Sequence, residues 1–184
     1  MTGQEKRNEK LRLAAFEGDL ETMNDLIADG VDLNAQDEEG YTALIDAVQE
    51  PNKEAVSILL NAGTDIEKVD EENATALMWA VRSGFEENYD QSIAVVRMLI
   101  ERGADVNART ESGATALIYA VSHDKPEMVE ILLKAGADPN LETDAGWTAL
   151  DYANDDRLMS GETKDLLLGA GAISKRGTSG HSRV

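Results

Sequence analysis

The chain has 184 residues, 17 of them Lys or Arg and 36 Asp or Glu, for a formal net charge of −19 with both histidines neutral. So acidic a balance repels nucleic acid and anionic membrane surfaces and favours positively charged partners, while a 42% hydrophobic content is enough for one domain or one short array with a sizeable core. The absence of cysteine removes disulfides, thiolate zinc sites and a cysteine nucleophile; no apolar run approaches the ~18 residues of a membrane span, and the charged stretch Met1 to Lys10 lacks an apolar signal core, so the expected address is cytoplasmic.

An internal repeat organises the rest. Thr-Ala-Leu recurs at Thr42, Thr75, Thr115 and Thr148, at spacings of 33, 40 and 33 residues. A second marker follows each helix pair: Gly30-Val-Asp-Leu-Asn, Gly63-Thr-Asp-Ile-Glu, Gly103-Ala-Asp-Val-Asn, Gly136-Ala-Asp-Pro-Asn and, decayed, Gly171-Ala-Ile-Ser. Five copies result, at approximately 4–36, 37–69, 70–109, 110–142 and 143–174. In copy one, Leu11, Ala14 and Gly18 align with Leu44, Ala47 and Pro51; the copy lacks only its leading turn, as suits an amino-terminal cap.

Each copy reads as two short helices, most clearly in copy four. Thr115 is placed to cap a helix whose inward residues are Leu117, Ala120 and Val121. Met128, Val129, Ile131, Leu132 and Leu133 form a second helix, which Gly136 stops. Residues 37–41, 110–114 and 143–147 read as tight turns with glycine at the bend, a place that Asn73 takes in copy three. Copy three carries seven extra residues between its helices, approximately Phe85 to Gln91, expected to be either a tolerated loop or an added contact. Copy five carries two more near Met159 to Glu162 and ends as a carboxy-terminal cap. The small polar residues that follow, 175–184 in the domain division and from Ser174 in composition, read as a flexible tail dispensable for folding. One such helix pair cannot bury its own apolar stripe, so the copies must stack. The fold expected is an all-α repeat solenoid.

These residues resemble the ankyrin repeat: a glycine turn, Thr-Pro-Leu-His, two alanines, a second helix ending Leu-Leu, then Gly-Ala-Asp-Val-Asn. The resemblance spans residues 4–174 and implies helix-turn-helix repeats joined by β-turn fingers. Ala43, Ala76, Ala116 and Ala149 replace the proline, and Ile45, Met78, Ile118 and Asp151 replace the histidine, whose hydrogen bonds tie neighbouring turns in the family.

Catalysis has little material. His123 and His181 cannot build a nucleophile, base and orienting group, so no enzymatic activity is expected. The clusters Asp37-Glu38-Glu39 and Asp70-Glu71-Glu72 lack the alternating spacing of a calcium loop and read as solvated turn tips. Glycines never cluster for phosphate binding, and no metal or cofactor is expected. The carboxyl end Ser182-Arg183-Val184 matches the short pattern that PDZ domains take up by strand addition.

The acidity belongs to the repeats, since residues 11–173 carry 34 acids and 11 bases while both flanks are basic. It serves either solubility alone or a partner surface. The family resemblance implies a concave groove lined by the turn tips and the first helices. Carried onto this sequence, its variable positions place Glu38, Glu39, Tyr41, Glu71, Glu72, Arg82, Arg109, Glu111, His123, Asp144 and Trp147 at that groove. Trp79, Tyr119 and Tyr152 share the fourth position after each threonine, where stacking would set them side by side as a ladder flanked by Tyr41 and Trp147; they serve either a partner or the packing of neighbouring copies. The function expected is a non-enzymatic adaptor or inhibitor, monomeric when free, that holds a basic protein surface or peptide. The alternative is an acidic decoy or immunity-type protein that imitates nucleic acid and blocks a toxin, nuclease or regulator; a structural spacer is the third reading.

Overall fold

A computed structural model describes residues 2–84, 88–155 and 160–176. It divides into two compact units, Met1–Asp105 and Val106–Val184. The first holds three helix pairs: α1 (Gly3–Glu17) with α2 (Leu20–Ala28), α3 (Ala43–Gln49) with α4 (Lys53–Ala62), and α5 (Ala76–Ser83) with α6 (Tyr89–Glu101). The second holds two pairs, α7 (Ala116–Ser122) with α8 (Pro126–Lys134) and α9 (Ala149–Asp155) with α10 (Gly161–Gly169). Among the described residues the only strand-like pairing is one isolated antiparallel bridge between Val69 and Thr75. The fold class is an all-α repeat solenoid.

The repeated threonines start the first helices. Thr42, Thr75 and Thr115 have extended backbones, and each hydroxyl accepts from the amide three residues on, filling one of the donors a helix start leaves unsatisfied. In copy five, Thr148 N–H donates to Asp151 Oδ2 at 2.9 Å while Asp151 N–H donates back to Thr148 Oγ1 at 3.3 Å, a reciprocal cap. Copy one departs from its siblings. Thr2 and Glu5 form a capping box, so α1 runs for 15 residues against seven in α3.

Within the first unit α1 packs on α3 and α3 on α5, while α2 packs on α4 and α4 on α6; within the second, α7 packs on α9 and α8 on α10. Leu44, Ile45, Leu59, Leu77, Met78 and Leu99 fill the first core, and Leu117, Met128, Leu132 and Leu167 the second, all fully buried. Each such side chain contributes about 1.5–3 kcal/mol by leaving water. The final residue of each Gly-x-Asp-x-Asn marker reaches into the next copy. Asn34 Oδ1 accepts from Asp65 N–H at 2.8 Å, Glu67 Oε1 from Asp105 N–H at 2.9 Å, Asn107 Oδ1 from Asp138 N–H at 2.8 Å and Asn140 Oδ1 from Ile173 N–H at 2.8 Å.

The extra residues of copy three are partly helical. Residues 85–87 lie outside the described residues, but Tyr89, Asp90 and Gln91 form the first turn of α6, which has 13 residues against ten in α4. Asp90 suits that turn, because a carboxylate is stabilised at the positive end of a helix. In copy five, residues 156–159 lie outside the described ones, and Ser160 caps α10 while its N–H and Oγ donate to Asp124 at 3.0 and 2.7 Å.

The turns need their left-handed residue. Asn73 takes φ +58°, and Gly40 φ +84°. A Cβ on Gly40 would stand 2.8 Å from Asp70 Cα, in the adjacent turn, beside the bond from Glu71 N–H to Glu39 O at 3.1 Å. Gly40→Ala should therefore lower unfolding free energy by about 2 kcal/mol or more in urea titration. An unchanged midpoint would mean that the turn relaxes freely.

Candidate protein-binding surface

Turn tips and first helices bring the sequence-selected residues into three groups. In the first unit, Glu38, Glu39, Glu71 and Glu72 stand exposed on two adjacent turns. These turns are stitched together by the Glu71 to Glu39 backbone bond and by Gln36 Nε2, which donates to Gly40 O at 2.8 Å and Val69 O at 2.7 Å. Four carboxylates are thus held on a fixed frame.

Beside them Tyr41, Trp79 and Arg82 form a cluster. The Tyr41 and Trp79 rings meet edge to face at 5.5 Å, and the Arg82 guanidinium lies 4.4 Å over the Trp79 ring, with its Nη1 3.8 Å from Glu72 Oε2. Trp79 Nε1–H donates to Asp70 Oδ2 at 2.7 Å. Asp70 was not among the residues selected from sequence, yet its other oxygen accepts from Glu72 and Ala74 N–H at 2.9 Å, so one carboxylate shapes the turn and orients the indole. Burial, then the Asp70 charge, push the Tyr41 hydroxyl's pKa above its ordinary value and keep it a neutral donor.

In the second unit Trp147 and Tyr152 meet at 5.0 Å, tilted by 51°. Arg109 spans from its own turn to the next, donating to Glu142 O at 2.8 Å with Asp144 Oδ1 at 3.7 Å. Glu111 is exposed on the turn that Asp144 N–H joins through Ser112 O at 2.9 Å. Tyr119 is half-buried on α7, and His123 ends that helix with Nδ1 2.8 Å from Tyr119 O. Two ring contacts, Tyr41 to Trp79 and Trp147 to Tyr152, run from turn to helix.

Three charged groups escaped the sequence reading. Arg12 of α1 pairs with Asp37 and stands 3.4 Å from Asp46 Oδ2. Asp46 sits at the position that carries Trp79, Tyr119 and Tyr152 in other copies; burial pushes its pKa up to about 6, with Arg12 opposing and Asp37 adding to the rise. The third lies at the chain's end. Composition assigned Ser174, Lys175 and Arg176 to a flexible tail, but the structure places all three on the last repeat. Ser174 Oγ and the N–H groups of Lys175 and Arg176 donate to the Asp151 carboxylate at 2.6, 3.3 and 3.0 Å, Lys175 Nζ meets Glu142 Oε1 at 2.8 Å, and the Arg176 guanidinium lies 4.5 Å over the Trp147 ring. The segment has little apolar area to bury, yet one hydroxyl and two backbone donors suffice where a buried carboxylate must be satisfied. Residues 177–184, including the Ser182-Arg183-Val184 motif and His181, lie outside the described residues.

Among the described residues no group of His, Asp and Glu is arranged to hold a metal ion, and no helix is long and apolar enough to cross a membrane.

Stacked helix pairs with hydrogen-bonded turns define a helical repeat protein. A family model for ankyrin repeats (3 copies) matches residues 11–110, and one for ankyrin repeats (many copies) matches residues 90–153. The chain belongs to the ankyrin repeat family, whose repeats are protein-protein interaction modules. No curated protein matches the chain.

Proposed function

We propose that this protein is a non-enzymatic adaptor or inhibitor that holds a basic surface or peptide of a partner protein on its acidic turns and aromatic first-helix face. One observation carries the reading: each tryptophan of the chain already holds an arginine guanidinium over its ring, Arg82 on Trp79 and Arg176 on Trp147, beside the carboxylates Glu72 and Glu142. An aromatic face next to a carboxylate suits a cation, since the ring quadrupole and the charge act in the same direction. The exposed acids Glu38, Glu39, Glu71 and Glu72 add a field that steers a basic partner inward.

Affinity purification followed by a salt titration on the captured partner tests the proposal. Exposed charges are screened over ~8 Å at physiological ionic strength, so affinity should fall steadily as salt rises. Reversing Glu38, Glu39, Glu71 and Glu72 together to lysine should slow association at least tenfold while the fold is retained. A salt-independent affinity, untouched by the reversal, would overturn the electrostatic reading in favour of an apolar contact.

A further inference from the structure

We infer that the last repeat carries a discrete site for a short Lys-Arg peptide, and that the chain's own Ser174–Arg176 segment fills this site in cis. The inference rests on the basic-partner reading above and deepens it at the second of its two tryptophans. The segment is bound as a peptide ligand is bound. Its backbone is read by one buried carboxylate, Asp151, which accepts from Lys175 N–H at 3.3 Å and Arg176 N–H at 3.0 Å. Its lysine is read by a second carboxylate, Glu142, at 2.8 Å, and its arginine by an aromatic face, Trp147, at 4.5 Å. Tyr152 backs the indole at 5.0 Å and fixes its plane. Two unlike devices thus meet two unlike cations: a carboxylate for a compact ammonium and a ring face for a flat guanidinium.

The side-chain half of this arrangement is exchangeable. Lys175 and Glu142 are 52% and 41% exposed, and Arg176 is exposed too. Open ion pairs and surface cation-π contacts are individually weak. Tethering keeps the segment in place, because a short covalent link supplies an effective concentration of about millimolar. A partner with a Lys-Arg sequence meets a site already shaped for its side chains, and must displace only these two to reach Glu142 and the Trp147 ring, while Asp151 stays bonded to the chain's own backbone.

The probe is a fluorescein-labelled peptide Ala-Ile-Ser-Lys-Arg-Gly, titrated by anisotropy into the full chain and into the double variant Lys175→Ser, Arg176→Ser. That variant keeps Ser174 and both backbone donors on Asp151, and its circular-dichroism melt should match the parent. The variant should bind the probe at least tenfold more tightly than the parent, and adding Trp147→Ala or Glu142→Gln should abolish the gain. A chain ending at Ile173, which also uncovers Asp151, should bind at least as tightly as the double variant. Equal affinity of parent and double variant, or no binding by the double variant, would overturn the inference. The charge reversal above acts only on the turns of the first unit, and the variants here act only on the last repeat, so failure of one and failure of the other are separable.

Discussion

Replacing Arg12 by alanine should lower stability at pH 7 by about 3 kcal/mol and should lower it far less at pH 5. The guanidinium of Arg12 lies between Asp37 and Asp46, with side chains 19% exposed for Arg12 and 13% for Asp46. Removing the cation leaves Asp46 as an uncompensated, largely buried carboxylate, which is the expensive half of such a pair. The pH dependence follows from the raised pKa of Asp46, about 6 in the folded protein against 3.8 ordinarily. Between these values the folded state binds the proton more tightly than the unfolded state, so this group makes the protein more stable as pH falls from 7 towards 4. Without Arg12 the pKa climbs further, and the penalty at pH 7 grows. At pH 5 Asp46 is already protonated and the arginine is hardly missed. Adding Asp46→Asn to Arg12→Ala should restore most of the loss at pH 7. Urea denaturation at both pH values measures all four members of this cycle. Equal losses at pH 5 and pH 7 would show that Arg12 acts by packing its aliphatic stem alone.

Asp151→Ala should cost about 3 kcal/mol or more and loosen the carboxyl end of the last repeat. The carboxylate is 3% exposed and accepts from Thr148 N–H and Oγ1, Ser174 Oγ, Lys175 N–H and Arg176 N–H. Burial alone would raise its pKa, but the bonds from Ser174, Thr148 and Arg176 outweigh it and hold the group well below the usual carboxylate range. A lowered folded pKa contributes stability that is fully present above the ordinary value of 3.8 and is lost as pH falls through the folded value. Asp151 and Asp46 therefore pull in opposite directions on acidification. Asp151→Asn should lose roughly half as much as alanine, since one acceptor oxygen survives while the amide points a donor at other donors. Thermal melts across pH 2–8 measure both; an alanine variant melting like the parent would mean that water replaces the whole set of bonds.

The repeat frame was readable because its determinants are local. Thr42, Thr75 and Thr115 cap residues three positions away, and Asn73 needs only its own φ of +58°. The Gly-Ala-Asp-Val-Asn marker was visible as a pattern, whereas its reason, an asparagine bonding the following copy, required the stack. Charge pairing was less legible, because Arg12 and Asp37 are 25 residues apart and Lys175 and Glu142 are 33 apart. A register signal for both ends did exist. Counting back from Ile45, Met78, Ile118 and Asp151, the position of the family's histidine in copy one is Arg12. The three central copies fill that position with buried apolar residues, and the two end copies fill it with a charged residue bound to several partners. Of the candidate surface, Tyr41, Trp79 and Arg82 came together as one cluster, while Asp70 was seen only as part of an acidic turn.

The side chains that clasp one copy to the next decide where this chain tolerates growth. Asn34 to Asp65 and Asn107 to Asp138 each span 31 residues, and Asn140 to Ile173 spans 33, but Glu67 to Asp105 spans 38 and still closes at 2.9 Å. Both departures from the 33-residue spacing of the repeat lie at the joint between a first and a second helix, away from the clasps. Material added at that joint leaves each clasp's donor and acceptor facing each other, whereas a residue added between Gly136 and Asn140 would rotate the asparagine away from its target. The joint is therefore where a lineage, or an engineer, gains length and new surface without disturbing the stacking order.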